Sequence, residues 1–324
     1  MTSTSADGAT AVGRRDAYES LLRRCQTLEP VTVAVAYPCE ETALTGVVEA
    51  AELRLIAPIL VGPPQKICEL AREAGLNVEN YPIEDASDSR AAAVKAVELV
   101  RSARAEALMK GSLHTDELMS AVVSSATGLR TGRRISHAFV MSLPTYPKPL
   151  IVTDAAINIA PSLDDKRDIC QNAIDLAHSL GRATPKVAIL SAVETVTTKI
   201  PSTIDAAALC KMVDRGQITG GLLDGPLAMD NAISPEAAKT KGISSPVAGD
   251  ADILVAPDLE AGNILAKQLT FLARADAAGL VLGARVPIIL TSRADNVRTR
   301  LASCGVALLV AHARRTGQVG GKPS

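Results

Sequence analysis

The sequence predicts an α/β fold with mostly parallel sheets, divided between two domains. Three observations lead there. Short runs rich in Val, Ile and Leu alternate with longer Ala-rich stretches, the order expected of βαβ units. The chain has 324 residues, and at roughly 100–200 residues per domain that length suggests two. Apolar residues make up 47% of the chain but aromatics only 2%, so Ala, Val, Ile and Leu must fill the core.

The elements follow in order. Val31–Ala36 reads as the first strand, and the stretch from about Glu40 to Leu53 as a helix. Pro58–Val61 is a second strand, stopped by Gly62-Pro63-Pro64, and Pro64 suits the first position of the next helix. Ala91–Arg104 is a long Ala-rich helix, and Ala107–Met109 a short strand running into Lys110-Gly111. Ile135–Ser142 and Leu150–Thr153 are two further strands, separated by the turn-rich Leu143–Pro149. Ser162-x-x-Asp165 after Pro161 and Ser202-x-x-Asp205 after Pro201 match capping boxes, so a helix is expected to open at each. Val187–Leu190, Gly221–Leu223, Ile253–Val255 and Leu280–Leu282 read as buried strands. Val286–Leu290 is the last strand, and helix resumes from Ala294.

The chain is expected to cross between domains near Leu143–Pro149 and again near Gly283–Arg285. Residues 1–147 with 286–324 then form one discontinuous domain, and residues 148–285 the second.

Composition narrows the function. There are 34 Lys and Arg against 35 Asp and Glu, a net charge of −1, which lacks the basic excess of a protein that binds nucleic acid. With no Trp and two Phe, a base-stacking surface is not expected. The six cysteines include no C-x-x-C pair and fit buried thiols in a reducing cytoplasm. The first residues lack the apolar stretch of a signal peptide, and no apolar run approaches the roughly 20 residues of a membrane span. No H-E-x-x-H or paired-histidine spacing predicts a metal, and no G-x-S-x-G elbow, P-loop or G-x-G-x-x-G occurs.

The most informative segment is Val286–Asp295, where a strand ends, a polar turn follows and a helix begins. In an open α/β sheet, ligands bind at that carboxyl edge. A helix N-terminus attracts anions, and the fork of Arg293 can grip a phosphate through two hydrogen bonds. The same Ser292-x-x-Asp295 also fits a plain capping box with Arg293 in solvent. Lys110 ends a strand beside a flexible Gly, and Arg130, Arg133 and Arg134 concentrate positive charge that suits either an anion funnel or a solvated loop. Asp154 follows a strand and either faces the ligand cleft or caps the next turn. Asp224-Gly225-Pro226 lies in a Gly-containing turn that permits close approach of a ligand or is simply a turn.

Together these segments resemble the phosphate acetyltransferase/phosphate butyryltransferase family, from about Val31 to Ala313. The resemblance is carried by Lys110-Gly-Ser, Leu129-Arg-Thr-Gly-Arg133, Val152–Asn158, Asp224–Ile233, Ala248–Leu254, Pro257–Asn263 and Thr291–Asp295, in fixed order. It implies two α/β domains of the isocitrate/isopropylmalate dehydrogenase-like fold with the site in an interdomain cleft. It also implies reversible transfer of an acyl group, acetyl ahead of butyryl, between CoA and inorganic phosphate. CoA is then a substrate, the product an acyl phosphate, and no cofactor or metal is bound. A cytoplasmic homodimer or larger homo-oligomer follows as well.

By the same resemblance, Ser292 and Arg293 stabilise the developing charge. Lys110, Arg130, Arg133 and Arg293 hold phosphate, and Asp154, Asn158, Asp224, Gly225 and Pro226 line the cleft. Acetyltransferase members carry an acidic residue about two helical turns after the Ser-Arg pair, where this chain has Thr299. The butyryltransferase-like branch reads Ser-Arg-Ala-Asp, as here, which makes Asp295 the candidate base. Three other readings stand beside this one: a butyryltransferase, a metal- and nicotinamide-dependent dehydrogenase of the same fold, and a non-catalytic phosphate-binding protein.

Overall fold

The structure, a computed structural model, describes residues 17–291 and 295–319. The chain divides into two compact units. The amino-terminal unit comprises Glu19–Arg133 and the described residues from Ala278 onward; the central unit comprises Arg134–Ala277 and the described residues up to Tyr18.

In the amino-terminal unit the strands are β1 (Val31–Ala36), β2 (Ile56–Val61), β3 (Ile83–Glu84), β4 (Ala107–Lys110), β10 (Asp276–Leu282, whose first residues belong to the central unit) and β11 (Ile288–Ile289). Their order is β3-β2-β1-β4-β11-β10, parallel except for the antiparallel β10–β11 pair. Helices α2 (Glu41–Glu52), α3 (Pro64–Glu73), α4 (Ser89–Arg101) and α5 (Thr115–Val123) connect the strands, and α1 is described over 17–25. Pro64 opens α3 as expected, and Asp88 caps α4 by accepting the Ala91 N–H.

The last helix, α11 (Val297–Arg315), is buried without interruption from Arg300 to Ala311. A helix that is apolar all round must be covered all round. Here α2, β1 and β11 pack against it. At Gly305 a Cβ would stand 3.4 Å from both Leu21 and Cys25, an ordinary packing distance, so α1 lies directly on this face of α11.

In the central unit β5 (Ser136–Ser142), β6 (Leu150–Thr153), β7 (Lys186–Leu190), β8 (Leu222–Leu227) and β9 (Ile253–Val255) lie in the order β5-β6-β9-β7-β8. All pairs are parallel except the β5–β6 hairpin. Helices α6 (Leu163–Ser179) and α7 (Pro201–Asp214) pack on this sheet and on each other, while α8 (Met229–Ile233) and α10 (Leu259–Phe271) pack on β7 and β6; α9 (Pro235–Thr240) follows α8. Met141, Leu150, Val152, Leu190, Leu227 and Leu254 form the centre of its apolar core.

Several elements differ from expectation for identifiable reasons. The units meet earlier in the chain than 147/148 and 285/286, because residues 136–149 belong to the β5–β6 hairpin and residues 278–285 to the β10–β11 hairpin. The Ser162 box is present, with Ser162 and Asp165 exchanging hydrogen bonds. The Ser202 box is not: Pro201 is already the first residue of α7, the Ser202 hydroxyl pairs with that of Ser191, and Asp205 pairs with Lys166 at 2.7 Å. Finally, β8 continues through Asp224-Gly225-Pro226, where a turn was expected, with a bulge at Gly225-Pro226 that shifts its register on β7 by one residue. It is the edge strand, the place where a sheet tolerates proline.

Candidate active site

Strands β4 and β11 are neighbours and parallel, with Ile288 opposite Leu108 and Ile289 opposite Met109. Both therefore leave the sheet at the same carboxyl edge, β4 through Lys110 and Gly111, β11 through Leu290 and Thr291. At that edge Gly111 donates to the Ala36 carbonyl at 2.9 Å and Ser112 to that of Tyr37 at 2.8 Å. A Cβ on Gly111 would lie 2.5 Å from the first of those oxygens, so only glycine allows the turn to close on β1.

Lys110 is buried beneath this turn, with its Nζ 3.3 Å from the carbonyls of both Gly111 and Leu113. Lysine is rarely buried unless its charge is compensated. Here carbonyl dipoles face the cation at the point where β11 also exits.

Thr291 is buried, and its hydroxyl accepts a hydrogen bond from Nη1 of Arg300 at 3.2 Å. Ser292 and Arg293, the expected reacting pair, lie outside the described residues. Asp295 is half-buried just before α11. The cap of that helix is Asn296, whose Oδ1 accepts the Thr299 N–H at 2.9 Å. Ser292 of the alternative Ser292-x-x-Asp295 capping box and Ala294, where helix was expected to resume, lie outside the described residues. The described helix begins at Val297. Thr299 occupies its first turn.

The arginine-rich loop sits elsewhere on the same unit. Arg130 bridges to Ala284, the Thr131 hydroxyl donates to Gly283 at 2.6 Å, and the Arg285 N–H bonds to Leu129 at 2.9 Å. These contacts fasten the loop to the turn before β11, whereas Thr291 follows β11. Arg130 and Arg133 are both exposed there.

In the central unit the expected residues form a closed network. The Asp154 carboxylate accepts the backbone N–H groups of Ala156, Ile157 and Asn158 at 2.9, 3.0 and 3.2 Å. Asn158 donates to that carboxylate and to the Ile135 carbonyl, and its Oδ1 accepts from Nε of Arg134 at 2.6 Å. Both side chains are buried. Asp154 therefore caps the turn after β6, the second of its two sequence readings. Near it His137 is fully buried, and desolvation pushes its pKa down to about 4 against the opposing pull of Asp154. At Gly225 an added Cβ would be 2.8 Å from Ile189 and 3.3 Å from Ala206, so this glycine lets β8 pack closely against β7 and α7. The Asp224 carboxylate accepts the Gly225 N–H.

Sequence reasoning missed Arg300 and Gly46, described below. The available signal was an arginine directly preceding the mostly apolar run Leu301–Ala311. Among the described residues, no group of three or more His, Cys, Asp or Glu side chains is arranged to hold a metal ion.

The family model for phosphate acetyl/butaryl transferase matches residues 88–307. The chain is similar to the phosphate acetyltransferase of Rhizobium meliloti, with 65% identity over 302 residues, 93% of this chain and 96% of that protein. It is also similar to the phosphate butyryltransferase of Clostridium beijerinckii, with 43% identity over 294 residues, 91% and 97% of the two chains. Among solved structures, the branched-chain phosphotransacylase from Enterococcus faecalis V583 superimposes with a TM-score of 0.76 at 33% identity, covering 87% of this chain and 99% of that one. The matched span runs from the cap of α4 well into α11 and so includes both strand exits: the chain belongs to the phosphate acetyl/butaryl transferase family.

Proposed function

We propose that the chain is a phosphate acetyltransferase, moving an acetyl group reversibly between the sulfur of CoA and inorganic phosphate. Family membership supports the reaction, and the higher identity to an acetyltransferase than to a butyryltransferase supports acetyl as the group transferred. The observation that carries the reading is the paired exit of β4 and β11. It gathers a buried lysine and the residue preceding Ser292-Arg293 at one sheet edge.

In the direction of acetyl phosphate, a phosphate oxygen attacks the thioester carbonyl. The new C–O bond forms as the C–S bond breaks, and CoA leaves as a thiolate that takes up a proton. In reverse, the CoA thiol, with a free pKa of roughly 8.5, must first lose its proton. The thiolate then attacks the acetyl carbonyl, and phosphate departs with the electrons of the C–O bond. Both directions pass through an oxyanion that fixed donors stabilise. On this reading Arg293 binds phosphate and the oxyanion, Ser292 hydrogen-bonds the developing charge, and Lys110 adds a cation. Arg130 and Arg133 attract the anionic substrates from the loop beside the β10–β11 turn. Asp295 is the base, since Thr299 carries no carboxylate.

The same reading makes the two units the domains of an isocitrate/isopropylmalate dehydrogenase-like fold with an interdomain cleft. Asp154, Asn158, Asp224, Gly225 and Pro226 then shape its wall. The family also supports a cytoplasmic homo-oligomer. Among the described residues, no helix is long and apolar enough to cross a membrane.

Thiol release from acetyl-, propionyl- and butyryl-CoA, with and without phosphate and EDTA, tests the proposal. The expected result is phosphate-dependent release, fastest with acetyl-CoA and unchanged by EDTA. No phosphate-dependent release would overturn the activity, and a clear lead for butyryl-CoA would move the chain to the butyryltransferase branch.

A further inference from the structure

We propose that Arg300 is a positioning residue: from inside α11 it holds Thr291 and so fixes where the chain leaves β11 toward Ser292-Arg293. The inference rests on the reading of that pair as the reacting end and adds a residue that acts on it through the backbone.

Arg300 is 3% exposed and Thr291 2% exposed, and the guanidinium donates to the threonine hydroxyl at 3.2 Å. A buried guanidinium binding a buried hydroxyl is a costly arrangement to desolvate, and a guanidinium holds its fork-shaped geometry rigidly. The neighbouring helix is cut to accommodate it. A Cβ on Gly46 of α2 would lie 2.9 Å from Cδ of Arg300 and 3.6 Å from its Cβ. The arginine stem therefore lies in a slot that only glycine leaves open. Three parts of the amino-terminal unit thus converge on one residue: α11 supplies the arginine, α2 the slot, and the end of β11 the acceptor. Thr291 is bonded directly to Ser292, and small misplacements of reacting groups are expensive in rate.

The proposal predicts a rate effect separable from folding. Thr291→Val keeps the shape and removes the acceptor. It should lower kcat about tenfold, with KM for acetyl-CoA and phosphate changed by less than about twofold. Thr291→Ser, which restores the hydroxyl, should recover most of the loss. Gly46→Ala should also lower kcat by crowding the arginine stem, but should have no further effect in an Arg300→Ala background, which lacks the crowded Cδ. Rates are taken per folded molecule, normalised by circular dichroism. Parental kcat in Thr291→Val, or losses in Gly46→Ala and Arg300→Ala that simply multiply, would overturn the proposal. If Arg300→Ala does not fold, the Thr291 pair decides alone. Arg293→Ala, measured alongside, separates the two levels. Parental activity in that variant defeats the underlying reading, whereas its inactivity beside an unaffected Thr291→Val defeats only the role of Arg300.

Discussion

The two units present the same kind of sheet edge and use it in opposite ways. At the end of β6 in the central unit, Asp154 and Asn158 spend their hydrogen-bonding capacity on three backbone N–H groups, a carbonyl and Arg134. At the end of β4 and β11 in the amino-terminal unit, the polar groups are a buried lysine facing carbonyls and a threonine held from behind by an arginine. Polar residues at a carboxyl edge are thus not interchangeable evidence for chemistry. Those at the end of β6 bind one another and brace the turn, whereas the proposed function assigns the buried lysine and the fixed chain exit of the other edge to an anionic substrate.

Substitutions at the two edges should separate in kind as well as size. Arg293→Ala should lower kcat by about two to three orders of magnitude, as removal of a charge-stabilising donor does. Steady-state rates check it, and an unchanged kcat would remove the amino-terminal edge from the chemistry. Lys110→Met should raise the KM for phosphate by about tenfold or more with little change in the KM for acetyl-CoA. A lower melting temperature with unaltered KM would make Lys110 a brace like Asp154.

Asp154→Asn should do the reverse of Lys110→Met. It weakens a set of charge-assisted bonds at a cost of about 1–3 kcal/mol, visible in denaturant unfolding, while kcat per folded molecule stays near parental. A selective loss of kcat would erase the distinction between the edges.

The last effect is a pH dependence of stability that leaves the chemistry untouched. His137 is held neutral by burial, with a pKa near 4 against the ordinary 6.5. The unfolded chain therefore binds more protons between those values, and stability should decline as pH falls from about 6.5 to 4, by about 1 kcal/mol per unit. In His137→Phe that part of the decline should flatten in urea titrations at stepped pH.

Much of the scaffold was legible because local chemistry agreed with the fold. Ile253–Val255 and Leu150–Thr153 are short β-branched runs and form strands with the expected bounds. Pro64 and Ser162 start helices by mechanisms that need only neighbouring residues. Failures came where tertiary packing overrode local signals. Gly225-Pro226 carries the composition of a turn, yet it forms a bulge inside an edge strand, with its glycine packed against Ile189 and Ala206. Ser202 has the right spacing for a cap, but Pro201 has already begun the helix and the hydroxyl is taken by Ser191.

The site was half legible for a similar reason. Lys110 and Thr291–Asp295 announce themselves as strand exits, but their adjacency depends on β11 pairing with β4, a contact between distant parts of the chain. Arg300 and Gly46 were invisible as partners, because a slot between two helices leaves no mark on either segment alone.

That distant pairing also bears on how the protein is made. Until the residues of β11 leave the ribosome, β4 is the last strand of its sheet and offers an unpaired row of backbone groups. The growing polypeptide is therefore open to mispairing with other chains at that edge until β11 has emerged to cover it.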